Sequence, residues 1–261
     1  MKKAIELILF YLLYQLGCGF LFNAISQLIA NGLDISESLI MRYSTGILMI
    51  TSGLLMIGHL FHFHHVAFNR SEFTAESLKS IPITLPFILS SLIAVNLASE
   101  WISLPNWMED TFINMSHNGF GLLSIAVMAP IVEELLFRDA IQRNFMKQGK
   151  TPEKAILYTS LLFGLIHINP AQIPFACCIG VVFGWVYHRT GQLLPCITGH
   201  LINNTVSATC MALLPAEVLQ TPLTHYLGTL PTLILFIASI WIGIQSYLYV
   251  NKRYPPHKKQ K

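Results

Sequence analysis

The chain has 261 residues, of which 53% are hydrophobic and only 11% are Asp, Glu, Lys or Arg, against about 25% charged residues in an ordinary soluble domain. At a mean hydropathy of +0.56, a water-soluble globule of this size would lack the charge to cover its surface. That excludes a soluble enzyme, a disordered segment and a nucleic-acid binder built on a basic patch.

A helical span needs about 20 mostly apolar residues. In chain order such stretches cover roughly 4–30, 39–63, 82–104, 119–142, 155–169, 173–188, 193–214 and 227–250. The composition and these stretches predict an all-α, polytopic transmembrane helical bundle of about eight spans. The first is read as a retained span: Met1, Lys2 and Lys3 suit a signal peptide, but the apolar run is too long and carries Glu6. The fifth and sixth are short and separated by the turn from Pro170 to Pro174.

The net charge of +3 says little, because in a membrane chain the placement of charge outweighs its sum. With eight spans, every Lys and Arg except Arg42 and Arg138 falls at the termini or in the loops after the second, fourth and sixth spans. The opposite loops carry Asp34, Glu37, Glu100, Glu109, Asp110 and Glu217 instead. By the positive-inside rule both termini are expected to be cytoplasmic, in a multi-pass protein of the cell membrane. The loop 99–118 contains Trp101 and Trp107 and is expected along the interface.

Three features on the way read as structure. His59, His62, His64 and His65 close the second span; with no Asp, Glu or Cys among them they are read as a helix end facing anionic lipid, not as a metal site. Cys18, Cys177, Cys178, Cys196 and Cys210 all fall in apolar runs and are read as buried hydrophobes. Asn203-Asn204-Thr205 fits a glycan acceptor but lies within a span. Ionisable chemistry is concentrated in 119–214, which divides the chain into N-terminal membrane helices and an external loop (1–118), a working core (119–214), and a last span with a basic tail (215–261).

Within that core the fourth span carries adjacent carboxylates, Glu133 and Glu134. A charge at mid-bilayer costs at least about 2.5–3.5 kcal/mol on insertion scales. Neighbours on a helix point about 100° apart, whereas Arg138 stands four residues after Glu134, the spacing at which opposite charges meet. Glu134 and Arg138 are therefore expected to pair, leaving Glu133 on another face. The fifth span places Phe163 and His167 one turn apart; the seventh places His200 and Asn204 one turn apart, with Asn203 pointing elsewhere. At about 1.5 Å per residue from the cytoplasmic ends, Glu133 lies about 15 Å deep, His200 about 10 Å, Asn204 about 16 Å and His167 about 20 Å. Each His or Asn alone reads as an interhelical hydrogen bond of about 0.6 kcal/mol. Together at one depth they read as a site in which Glu and His deprotonate a water while His and Asn receive an oxyanion.

The motifs EELLFR, FGLIH and HLINN resemble, in order and spacing, the Glu-Glu-x-x-x-Arg, Phe-x-x-x-His and His-x-x-x-Asn motifs of the membrane CAAX prenyl protease and bacteriocin-processing (Abi-type) family. The resemblance covers about 119–214. It implies an all-helical intramembrane endopeptidase in which Glu133 and His167 activate water, His200 and Asn204 form the oxyanion site, and Glu134, Arg138 and Phe163 support the motifs. It favours a glutamate mechanism without metal or other cofactor, acting on a peptide or protein substrate at the bilayer, with no nucleic-acid partner. Asp139 stands where the family usually has glycine, which is expected to alter packing or substrate entry. One rival keeps the hydrolase but uses zinc held by Glu133, His167 and His200, although no His-Glu-x-x-His pair shares a helix. Another class of reading is a non-catalytic membrane immunity or scaffold protein that binds a partner peptide.

Overall fold

The computed structural model describes residues 1–33, 37–66 and 74–255. Among them the chain is helical, without strands: α1 (Lys2–Leu33), α2 (Glu37–His62), α3 (Ala75–Ser99), α4 (Glu109–Ser116), α5 (Gly119–Lys147), α6 (Pro152–Leu165), α7 (Ile173–Thr190), α8 (Leu194–Leu213), α9 (Ala216–Gln220), α10 (Leu223–Leu227) and α11 (Thr229–Arg253). Their ends follow local chemistry. Thr74 caps α3 by accepting from the Ser77 amide at 3.3 Å, Asn118 caps α5 by accepting from the Gly121 amide at 2.7 Å, and Thr151 followed by Pro152 opens α6. Gly191, at φ +66°, ends α7 in the left-handed conformation that glycine adopts without steric cost.

Helices occupy all eight stretches expected from the sequence. Among the described residues, five are long and apolar enough to cross a membrane: Lys2–Gly32, Tyr43–His62, Ala75–Ser99, Gly119–Lys147 and Thr229–Arg253. The three that fall short have visible reasons. α6 has 14 residues, about 21 Å at 1.5 Å per residue, against a hydrocarbon core of about 30 Å. α7 ends in Tyr187, His188 and Arg189, and α8 carries His200, Asn203 and Asn204. Half of the apolar window of α5 is buried inside the protein, against 11% of that of α11, so α5 is an interior helix and α11 presents its apolar face outward.

The chain forms two compact units, each assembled from separated stretches. The first comprises Met1–Ala67, Met108–Ile141 and His200–Leu219. In it α1 packs on α2, and α2 packs on the first half of α5. A Cβ on Gly46 would lie 2.5 Å from the Gly121 nitrogen, so glycine at position 46 lets α2 approach the backbone of α5. Met115, Ile125 and Ala208 form a buried cluster beneath this contact.

The second unit comprises Phe68–Trp107, Gln142–Gly199 and Gln220–Lys261. Here α6 packs on α7, and α3 packs on both α7 and α11. A Cβ on Gly164 would collide with Cys177 Sγ and come within 2.8 Å of the Ile173 carbonyl, so α6 and α7 meet at backbone distance.

Candidate active site

The carboxylates stand in an irregular helix. α5 contains two π-helical segments, Ser124–Met128 and Leu135–Gln142, separated by the α-helical stretch Ala129–Glu134. A π turn closes i→i+5 hydrogen bonds and is found often at functional sites. Its wider winding brings residues four apart closer to vertical alignment than the 40° offset of an α-helix, and Arg138 lies in the second such segment. Glu134 and Arg138 are fully buried, and the Arg138 Nε donates to Glu134 Oε2 at 2.9 Å. The expected pair is present. Asp139, beside it, is also buried.

What helix periodicity did not foresee is the second engagement of Glu134. Its Oε1 lies 2.9 Å from His200 Nδ1. Paired with a guanidinium that is always charged, Glu134 is a carboxylate that only accepts, so Nδ1 carries the proton. The other ring nitrogen, Nε2, then faces Glu133 Oε2 at 3.7 Å. That separation is too long for a hydrogen bond, yet short enough for one water to sit about 2.8 Å from both. Glu133 is 8% exposed. The chain Arg138–Glu134–His200–Glu133 therefore fixes one imidazole between two carboxylates of different duty.

Asn204 lies one turn beyond His200 on α8. Its Nδ2 donates to the Ile125 carbonyl at 3.0 Å, in the first π segment, and its Oδ1 accepts from Asn203 at 3.1 Å. Asn203 thus turns toward Asn204 and orients its amide. An amide nitrogen has two protons, so one donor of Asn204 is left for a ligand. Tyr11 of α1 adds a residue that sequence reasoning missed. It is buried, hydrogen-bonded with Gln15 and within electrostatic range of Glu133. The available signal was a Tyr and a Gln one turn apart in the apolar middle of the helix.

His167 belongs to the second unit, two residues past the end of α6. Its Nδ1 lies 2.8 Å from the Phe163 carbonyl. A carbonyl only accepts, so Nδ1 is the protonated nitrogen and Nε2 keeps its lone pair. The buried Phe163 ring meets the imidazole edge-on at 5.2 Å between centroids. Phe163 thus fixes both tautomer and tilt.

Residues 116–206 match the family model of the Rce1-like type II CAAX prenyl endopeptidases. All three motifs fall inside that match. A relative from Bacillus subtilis (strain 168), named "Putative membrane peptidase YdiL", is 29% identical over 86 residues, which is 31% of this chain and 32% of that protein's length. No solved structure matches. The resemblance to the CAAX-type peptidases is therefore carried by the stretch that holds the carboxylates, both site histidines and Asn204.

Proposed function

We propose that this chain is an intramembrane endopeptidase that hydrolyses a peptide bond of a membrane-associated protein or peptide. Glu133 takes a proton from water, and His167, with its free Nε2, holds that water for attack on the carbonyl carbon. The new oxyanion receives hydrogen bonds from the Asn204 amide and from His200. His200 can give one only through Nε2, which then carries a proton as well as Nδ1; Glu134, anchored by Arg138, is placed to hold the charge that results. Collapse of the tetrahedral intermediate passes the proton held by Glu133 to the leaving amine, giving one carboxylate and one amine product. No resident cofactor takes part, and the protein lies in the cell membrane with both ends cytoplasmic.

The observation that carries this reading is the buried Arg138–Glu134–His200–Glu133 chain, set in a stretch that a peptidase family model matches. A rival reading keeps the hydrolase but uses zinc, although among the described residues no group of three or more His, Cys, Asp or Glu side chains is gathered to hold a metal ion. Zinc held by Glu133, His167 and His200 would itself lower the pKa of a bound water. Membrane proteomics of wild type against Glu133→Gln tests the peptidase: an uncut peptide is expected to accumulate in the variant, and identical peptide sets would favour a binding or immunity role. Purified protein with far less than one metal ion per chain, still active after chelation, is expected for the glutamate mechanism. Stoichiometric zinc with chelator-sensitive, zinc-restored activity would replace it.

A further inference from the structure

Asn169 is fully buried two residues beyond His167, in the second unit, and its side-chain oxygen, side-chain nitrogen and backbone carbonyl are all hydrogen-bonded. Its side-chain Oδ1 accepts from the Trp107 amide at 3.1 Å, and its Nδ2 donates to Asn106 Oδ1 at 2.8 Å. Beside them the Ala171 amide donates to the Pro105 carbonyl at 3.3 Å, while the Asn169 carbonyl accepts from the Gln172 and Ile173 amides at 2.9 and 3.1 Å. One residue thus clasps the strap 105–107 and opens α7.

Between His167 and this clasp stands Ile168 at φ +53°. A β-branched residue in the left-handed region is a steric outlier. Its side chain is 63% exposed, so packing of Ile168 does not impose the conformation. The constraint comes from both sides. Upstream, the His167 and Ile168 amides donate to Gly164 and Leu165 at 3.2 and 3.3 Å in a tightened last turn of α6; downstream, Asn169 is pinned. Strain held by surrounding structure next to a functional side chain is the pattern of pre-organisation.

We infer that Asn169 is a positioning residue for His167: through the clasp on Asn106 and Trp107 it holds the strained turn at Ile168, and so the imidazole on the Phe163 carbonyl. Without the Asn169 amide the turn relaxes to negative φ, the chain leaving α6 swings, and Nδ1 loses its fixed acceptor. The catalytic part rests on the reading of His167 as the group that holds water; the geometric part does not.

The test uses full-length protein in lipid nanodiscs with isotope-labelled histidine, the His167 signals being assigned by their loss in His167→Gln. Wild type is expected to show the Nδ1-protonated tautomer, and Asn169→Ala a rapid average of both. Adding Ile168→Gly should return the wild-type signature, because glycine adopts positive φ at no steric cost. In turnover, Asn169→Ala should lower kcat roughly 10- to 100-fold with KM within about twofold, as a misplaced group does, and the glycine should recover most of it. Should Asn169→Ala not fold, Asn106→Ala removes only the partner of Nδ2 and should shift the tautomer in the same direction. A wild-type tautomer in folded Asn169→Ala and Asn106→Ala overturns the inference, as does a kcat loss that glycine leaves untouched. If the tautomer responds as expected while wild type and Glu133→Gln are equally inert, the clasp stands and the peptidase reading falls.

Discussion

The two units hold their histidines by opposite means. In the first, His200 is held by charged side chains: a carboxylate on one nitrogen, a guanidinium behind that carboxylate, and a second carboxylate facing the other nitrogen. In the second, His167 is fixed by backbone: the Phe163 carbonyl under Nδ1 and a strained exit turn. Charge networks inside a membrane are expensive and must be complete, whereas a helix end needs only a carbonyl and a constraint. The first unit should therefore fail abruptly when one charge is removed, and the second by degrees.

The largest expected effect is Glu133→Gln. An amide cannot take a proton from water, so turnover should fall by about 10²- to 10⁴-fold with the thermal midpoint in detergent little changed, because Glu133 makes no hydrogen bond with His200 at 3.7 Å. Retained cleavage would move the general base elsewhere. Next is Arg138→Met, which leaves Glu134 buried without its guanidinium. Removing one member of a buried pair typically costs about 3–5 kcal/mol, and folded yield should fall with it. Glu134→Gln should be milder in stability, but its amide can present N–H to His200 Nδ1 and invert the ring's tautomer, lowering kcat. Equal stability loss in Glu133→Gln and Arg138→Met would break the proposed division between the two carboxylates.

How far the sequence reaches follows the same contrast. The Glu134–Arg138 pair, the shared faces of Phe163 with His167 and of His200 with Asn204, and the membrane class were all legible, because each follows from composition or helix periodicity. The bond from Glu134 to His200 was not, since it joins residues 66 apart in the chain and periodicity describes one helix at a time. The π segments were invisible for a related reason: LLFRDAIQ contains no Gly or Pro to announce a change of winding, and the register is set by what α5 packs against. Asn169 fell at the end of the fifth stretch, next to the turn that begins at Pro170, with nothing to mark it out; its burial became visible only with the strap folded over it. Helices fill all eight stretches, and among the described residues five of them satisfy length and apolarity.

A packing change in the second unit sharpens the comparison. Gly164→Ala would place a Cβ against Cys177 Sγ and within 2.8 Å of the Ile173 carbonyl. The backbone carbonyl cannot step aside, so α6 and α7 must separate, at about 1–3 kcal/mol for overpacking. Because His167 stands two residues past the end of α6, a partial loss of activity should accompany the loss of stability. Cys177→Ala in the same background should restore some of both. A fully active Gly164→Ala would show that His167 does not depend on the contact of α6 with α7.

The smallest effect belongs to the histidine-rich end of α2, where the question is whether these rings act or merely pack. His59 is buried, with Nδ1 2.9 Å from the Tyr14 hydroxyl. Its ring lies 4.5 Å from Phe10 and 4.7 Å from Phe63, centroid to centroid, so most of its surface is engaged in aromatic contact between α1 and α2. Tyr14→Phe keeps that stack and deletes one hydrogen bond, which within membranes is worth about 0.6 kcal/mol on average. The expected result is a small drop in thermal midpoint, unchanged turnover, and no change in bound metal on analysis of the purified protein. His59→Phe should cost little more, since the ring volume and the stack survive while the Tyr14 hydroxyl loses its partner. A large loss of activity in either variant, at normal stability, would make this end of α2 part of the working machinery.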